Sequence, residues 1–312
     1  MTSKKLVIRL SGYISLFIFI LVILGACQLQ NKENNSDHIN SYYQSIDEWK
    51  ENRIKRLKGH NGWLNLAGLF WLNDGINTVG SHADNDIIFP AESPEFLGSF
   101  NLMNEKIEFI SKPDVNVLYN GKAIRKIELN PDVSSSPTIL TYDSLAWFII
   151  KREGKFGIRL RDYNKPEIKK LDSIPCFKTD LNWKVEASLV PTPSKVSIAI
   201  PNVLGQVNYE VVPGILEFVL DKQTLKLYPL GKPGNLWLVF GDETSGAETY
   251  GGGRFLGIEG PDKNGKYTID FNKAYNPPCA FTPFATCPLP PKENILEIPV
   301  TAGEKNIPHT WH

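Results

Sequence analysis

The residues best suited to chemistry are concentrated between Gly241 and Gly303, where Asp242, Glu243 and Glu248 precede Tyr250, a run of three glycines and Arg254. Asp270, Asn272, Tyr275, Asn276, Cys279 and Cys287 follow within 33 positions of Arg254. Glycines admit backbone conformations and close approaches that a Cβ would block, and an arginine directly after them can aim a rigid fork of donors at a carboxylate or phosphate. A binding site is expected in which Arg254 anchors an anion, Asn272 and Asn276 orient it, and Tyr250, Tyr275 and Cys279 border its apolar part. The same residues could instead build a hydrolase, with Glu248 or Asp242 as general base and Arg254 stabilising developing negative charge. A third reading is architectural: the glycines turn a strand, Arg254 pairs with Asp242 or Glu248, and the remaining acids face solvent.

Cys279 and Cys287 stand eight positions apart in a proline-rich loop, with Phe281 and Phe284 between them. They read as a disulfide, as two buried thiols, or as a catalytic or metal-binding pair. A nucleophilic thiol needs a neighbouring base, and His60 and His82 could reach it only through tertiary folding. The spacing does not match paired Cys-x2-Cys zinc elements. The glycine run lacks the Gly-Lys-Ser/Thr ending of a phosphate-binding loop and no βαβ unit surrounds it. No metal and no cofactor is therefore expected; the terminal His309 and His312 read as part of a frayed tail over 307–312.

Positioning these residues is the task of a chain with 34 basic and 34 acidic residues, a balance that excludes the basic surface of a nucleic-acid binder. The neutrality is composite. Lys4, Lys5 and Arg9 precede an apolar run, Tyr13 to Ala26, broken only by Ser15 and Gly25. That run is too short for a comfortable bilayer span and suits a signal-peptide core over 1–26. Without the three leader cations the body is slightly acidic, 31 basic against 34 acidic residues. Leu24-Gly25-Ala26-Cys27 resembles the bacterial lipobox, which implies export, lipidation of Cys27 and attachment to a bilayer; Gln28 after the cysteine favours the outer membrane where there are two. Residues 27–41 read as a polar, Asn-rich tether. An exported body can keep disulfides, and Cys176, Cys279 and Cys287 are an odd number, so one is unpaired or pairs between chains.

Tyr43, Ile46, Trp49, Ile54 and Leu57 lie close to a helical stripe, predicting one amphipathic helix over 42–60, started by Ser45 or Asp47. Beyond it, short runs rich in Val, Ile, Tyr and Phe alternate with Gly, Pro, Asn and Asp. They include Ile87–Phe89, Lys106–Ile110, Ala146–Ile150, Gly157–Leu160, Ile215–Leu220 and Tyr267–Phe271. Ten to sixteen such strands argue a mainly β body, too large for one core. Two packed β units are expected, a sandwich over 61–165 and a second sandwich or barrel-like domain over 179–306, joined at a seam over 166–178.

Two resemblances sharpen this. Asn77-Thr78-Val79-Gly80-Ser81, Asp84-Asn85-Asp86-Ile87-Ile88-Phe89 and the hairpin signal Asn120-Gly121 occur in the order of a forkhead-associated (FHA) sandwich. Ser81 stands where that family grips phosphothreonine with arginine, and Ser93-Pro94-Glu95-Phe96 replaces its Ser-Arg-x-His segment, so the resemblance implies the fold and not the ligand. The blocks Trp63–Leu72, Pro201–Gly205, Gly241–Leu256 and Asp270–Pro288 resemble the DUF1684 family over about residues 45–305. That family brings no known activity. What is expected is a lipid-anchored extracytoplasmic protein, with a small or extended and in one version carboxylated ligand as its binding partner, and no protein partner named by the sequence.

Overall fold

The computed structural model describes residues 37–192 and 195–307. The leader over 1–26, Cys27, most of the tether and the tail histidines lie outside the described residues. No described helix is long and apolar enough to cross a membrane. The chain divides into two compact units, residues 1–51 and 52–312.

In the first unit residues 37–51 are helical, and the helix, α1, runs on to residue 58. Its start differs from the expected residue 42, because residues 37–41 are helical too. Ser45 does not cap it: the Oγ donates to the Tyr42 carbonyl at 2.7 Å, inside the helix. The stripe of covered positions is Ile39, Tyr42, Ile46, Trp49, Arg53 and Leu57, and Tyr43 faces out. Steps of three and four residues identify one helical face, and Ile39 carries it into the presumed tether.

The second unit opens with a β-sandwich. One sheet has six strands in the order β1-β11-β10-β9-β6-β7, in which β1 is Leu66–Trp71, β9 Ile139–Tyr142, β10 Leu145–Arg152 and β11 Lys155–Asp162. The other has five, in the order β3-β2-β4-β5-β8, with β2 Gly75–Gly80, β3 Ile87–Ile88, β4 Gly98–Met103, β5 Lys106–Ser111 and β8 Lys126–Glu128. Alternate residues of facing strands share one core: Val79, Phe100, Ile107 and Phe109 from the five-stranded sheet meet Leu140, Trp147, Ile158 and Leu160 from the six-stranded one. Trp147 is fully buried and lies edge-on to Phe89 and Phe109, with centroids 5.6 and 5.9 Å apart. Asn120 and Gly121 turn between β6 (Leu118–Tyr119) and β7 (Lys122–Ala123) with φ of 50° and 74°, the positive pair that a type I′ turn requires.

A short helix α2 (Pro166–Lys170) occupies the seam. After it a four-stranded sheet, β16-β15-β12-β20, and a three-stranded sheet, β17-β18-β19, enclose a second core around Phe218, Phe240, Phe271 and Leu256. Here β12 is Lys184–Val190, β15 Ile215–Leu220, β16 Gln223–Leu227, β17 Leu230–Lys232, β18 Asn235–Phe240, β19 Arg254–Ile258 and β20 Lys266–Asp270. A hairpin of β13 (Ser197–Pro201) and β14 (Val207–Val211) stands apart. The protein is thus mainly β, with two β parts, as the strand pattern predicted.

Candidate functional site

The structure closes the segment that looked most chemical. Arg254 opens β19 and is wholly buried. Its Nη2 donates to Asp242 Oδ2 at 2.8 Å and to the Val300 carbonyl at 2.9 Å, while Nη1 donates to the Ala302 carbonyl. Burial lowers the pKa of this guanidinium and Asp242 opposes the shift; the ion nonetheless stays charged at any ordinary pH. The other Asp242 oxygen accepts from Thr244 N at 2.9 Å, Thr244 Oγ1 at 2.6 Å and Val300 N at 3.2 Å. With its side chain fully inaccessible as well, this carboxylate is out of reach of a substrate water.

Of the three glycines, Gly252 would bring a Cβ to 2.6 Å from the Tyr250 ring, and Gly253 has the tighter place. Its φ is +78°, and a Cβ would lie 2.3 Å from the Pro290 ring and 2.6 Å from the Phe240 carbonyl.

The remaining predicted residues are dispersed. Glu248 is exposed and pairs with Lys305 at 3.1 Å instead of approaching Arg254. Asn272 is buried, donating to the Asp180 carbonyl at 2.8 Å and accepting from Asp180 N at 3.0 Å. The Asn276 amide donates to Glu304 Oε2 at 2.7 Å and its side chain to the Lys305 carbonyl at 2.8 Å. Tyr275 lies under the Arg53 guanidinium, 4.6 Å from its ring centroid. Burial raises the pKa of both Tyr250 and Tyr275. Among the described residues, Arg254, Asn272, Asn276 and Cys279 are buried and tie loops to strands from the inside, and Tyr250 and Tyr275 are half-buried beside them.

Cys279 and Cys287 form a disulfide, and each also receives the other's backbone N–H on sulfur, at 3.1 and 3.3 Å. Cys176 takes no part in this disulfide, and its Sγ lies 3.4 Å from the Ile174 carbonyl. Closing so short a loop stabilises by about 2–3 kcal/mol in the chain-entropy picture. Reductant should lower the unfolding midpoint accordingly, and thiol titration of the denatured chain should find two more thiols after reduction. An unchanged midpoint and count would remove the bond.

An open cleft lies elsewhere, on the outer face of the six-stranded sheet. It has a volume of about 130 Å³ and is lined by Asn61, Asp132, Pro137, Ile139, Phe148, Arg161 and Tyr163. That is close to the roughly 150 Å³ in which an engineered cavity holds benzene, room for one ring or an equivalent end group. Strand geometry produces the site: Leu160 points into the core, so Arg159 and Arg161 on β11 both point out. Arg161 Nη1 donates to the Gly62 carbonyl and to Asn65 Oδ1. Asn65 in turn donates to the Gly59 and His60 carbonyls at 3.1 and 2.8 Å, which fixes the turn between α1 and β1 over the cleft. The Tyr163 ring stacks on His60 with centroids 4.2 Å apart, and its hydroxyl lies 3.0 Å from His60 Nε2.

The electrostatics of this cleft are unbalanced. Asp132 is its one carboxylate, and Arg152 holds it at both oxygens, at 3.0 and 2.7 Å. Arg161 has only neutral acceptors, and burial lowers its pKa. Arg159, two residues before it on β11 and outside the lining, is 4% exposed, touches Thr286 Oγ1 at 3.4 Å and leaves its Nε without a partner. Burial, then the charge of Arg152, push Arg159 down to about 10. Among the described residues neither Arg159 nor Arg161 makes an ion pair, so a local positive charge faces a half-apolar cleft. The sequence reading missed this site. Its strand over Gly157–Leu160 stopped one residue short of Arg161, although the alternation of Phe156, Ile158 and Leu160 with Arg159 and Arg161 was there to be read.

Fold and site together define a mainly β protein, a sandwich followed by a second β part whose motif residues are internal ties. Residues 169–305 match the family model described as Protein of unknown function (DUF1684). Over this part, less than half of its length, the chain resembles the DUF1684 family. A solution NMR structure of an uncharacterized protein of Haloarcula marismortui is 30% identical, covering 47% of this chain and 82% of its own, with a TM-score of 0.37. The FhaA FHA domain, solved with the intracellular domain of another protein, is 10% identical over 30% of this chain and 97% of its own, with a TM-score of 0.21. An FHA domain studied for phosphothreonine-dependent interactions is 12% identical over 30% and 92%, also with a TM-score of 0.21. No curated protein gives a significant match.

Proposed function

We propose that this chain is a lipid-anchored extracytoplasmic binding protein that takes an anionic group attached to a small apolar body in the cleft beside Arg161. The observation that carries the reading is a half-buried guanidinium held only by neutral acceptors in an open cleft. An anion entering there gains a charge-assisted hydrogen bond without having to displace a protein carboxylate. Phe148, Ile139 and Pro137 offer an apolar wall to the rest of the ligand, and the Tyr163 hydroxyl a second polar contact. The anchor rests on the leader and Cys27: palmitate labelling of the full chain should be lost in Cys27→Ser, and equal labelling of both would remove it.

Binding is tested by thermal unfolding with benzoate, acetate or inorganic phosphate. A ligand specific to the native state stabilises by about 2.7 kcal/mol at a hundredfold excess over its dissociation constant. Benzoate should raise the melting temperature more than acetate. Ile139→Glu places a negative charge at the exposed wall and should abolish the rise while leaving the basal melting temperature close to wild type. No response of the wild type to any of the three anions, or equal responses of wild type and Ile139→Glu, would overturn the proposal.

A further inference from the structure

The hairpin of β13 and β14 presents an edge suited to one partner in particular. Val212 N donates to the Val196 carbonyl and Asn202 N to the Gln206 carbonyl, both at 2.9 Å, which sets the phase of the antiparallel ladder. In such a ladder the pairing residues alternate, so Gln206, Asn208, Glu210 and Val212 turn their backbone groups toward β13. Val207, Tyr209 and Val211 turn theirs outward, and among the described residues β14 has no other neighbouring strand.

The same three residues expose their side chains, at 48%, 75% and 55% of full accessibility. Natural edges are usually blunted by lysine, proline or a bulge. Val207–Val211 has none of these, and its one charge is Glu210. The edge is also well supported, because Ile198, Ile200 and Val212 of this hairpin are buried in a core cluster with Phe255 and the two bonded cysteines.

Read as a pairing surface, Val207-Asn208-Tyr209-Glu210-Val211 complements itself about Tyr209. An antiparallel two-fold contact puts Tyr209 opposite Tyr209 and Val207 opposite Val211. Asn208 then lies opposite Glu210, an amide donor against a carboxylate. The residues whose backbone faces outward are the ones that such a register hydrogen-bonds. We infer that β14 is a self-association edge, and that two copies of this chain pair through it in antiparallel register about Tyr209, joining their hairpins into a four-stranded sheet. A two-fold contact requires a self-complementary patch, and the strand sequence supplies one.

The contact spans five residues and is small, so it is sought by analytical ultracentrifugation of the full chain in detergent, into high micromolar concentrations. The expected result is a reversible monomer–dimer equilibrium. Tyr209→Pro removes an amide hydrogen that points away from β13 and so spares the hairpin; it should raise the dimer dissociation constant at least about tenfold while the melting temperature stays near wild type. Should proline disturb the fold, a charge pair reads the register instead. Val207→Lys with Val211→Lys puts like charges opposite each other across the two-fold and should give monomer. Val207→Lys with Val211→Glu puts opposite charges there and should restore the dimer. A wild type that stays monomeric throughout, a dimer that survives in a folded Tyr209→Pro variant, or equal dissociation constants for the two charge variants would overturn the inference.

Discussion

Asp242→Ala is expected to cost about 3–5 kcal/mol of folding stability, because it strands the Arg254 guanidinium in the core with its charge uncompensated. The Asp242 side chain and Arg254 are both fully inaccessible, and the guanidinium lies 5.3 Å from the centroid of the Phe240 ring with its Nε already unpaired. No water can replace the lost carboxylate. Arg254→Met should also destabilise, since it frees the carbonyls of Val300 and Ala302 together with an oxygen of Asp242. Each single change leaves an unsatisfied partner of the other residue. The double variant therefore loses less than the sum of the singles, and the coupling should exceed about 1 kcal/mol, as for residues in one network. Urea unfolding of the four proteins measures it. Additive losses would mean that Arg254 and Asp242 do not act as a unit. The benzoate response proposed for the Arg161 cleft should persist in any of these variants that still folds, which separates the internal tie from the binding surface.

How far the sequence could be read depended on the range of the interactions involved. Period-2 alternation and turn chemistry are local, so the strands around Trp147 and the Asn120-Gly121 hairpin could be anticipated. The helical stripe was visible as well, but choosing Tyr43 rather than Tyr42 shifted its phase and hid the first turn at Ile39. Arg254 shows the limit. A glycine run before an arginine looks the same whether the fork meets a ligand or the carbonyls of Val300 and Ala302, 46 and 48 positions away. Only the return of the chain at 300–302 decides between them. Asn272 and Asn276 were ambiguous for the same reason: their partners, Asp180 and Lys305, are 92 and 29 positions distant. The Arg161 cleft escaped notice for a different reason. Its arginines are spread along a strand, not gathered in a motif, and what matters about them is the lack of a carboxylate, which shows only when all neighbours are in place.

Arg53→Met should be the other severe substitution, and its effect should depend on pH. Arg53 Nε pairs with Glu304 Oε1 at 3.1 Å and its Nη2 donates to the Asn276 carbonyl at 2.7 Å, so it ties the last turn of α1 to the loops at 276 and 304. Glu304 is 1% exposed, and burial raises its pKa above the ordinary 4.5, against the pull of Arg53 and of the Asn276 N–H. A carboxyl whose folded pKa is raised holds its proton where the unfolded chain has released it. Its contribution to stability is therefore greatest below about 4.5 and declines as pH rises toward the folded value. Removing Arg53 takes away the cation that restrains this shift, so the folded value rises further and the decline becomes deeper. Near neutral pH the loss should be about 3–5 kcal/mol, the range for a buried pair broken on one side. Near pH 5 it should be smaller, because Glu304 can take up a proton and shed its charge. Urea midpoints of wild type and variant across this range give the answer: a gap that widens as pH rises is expected, and parallel profiles would show that Arg53 supports the fold through its bond to Asn276 and its packing on Tyr275, without governing the charge of Glu304.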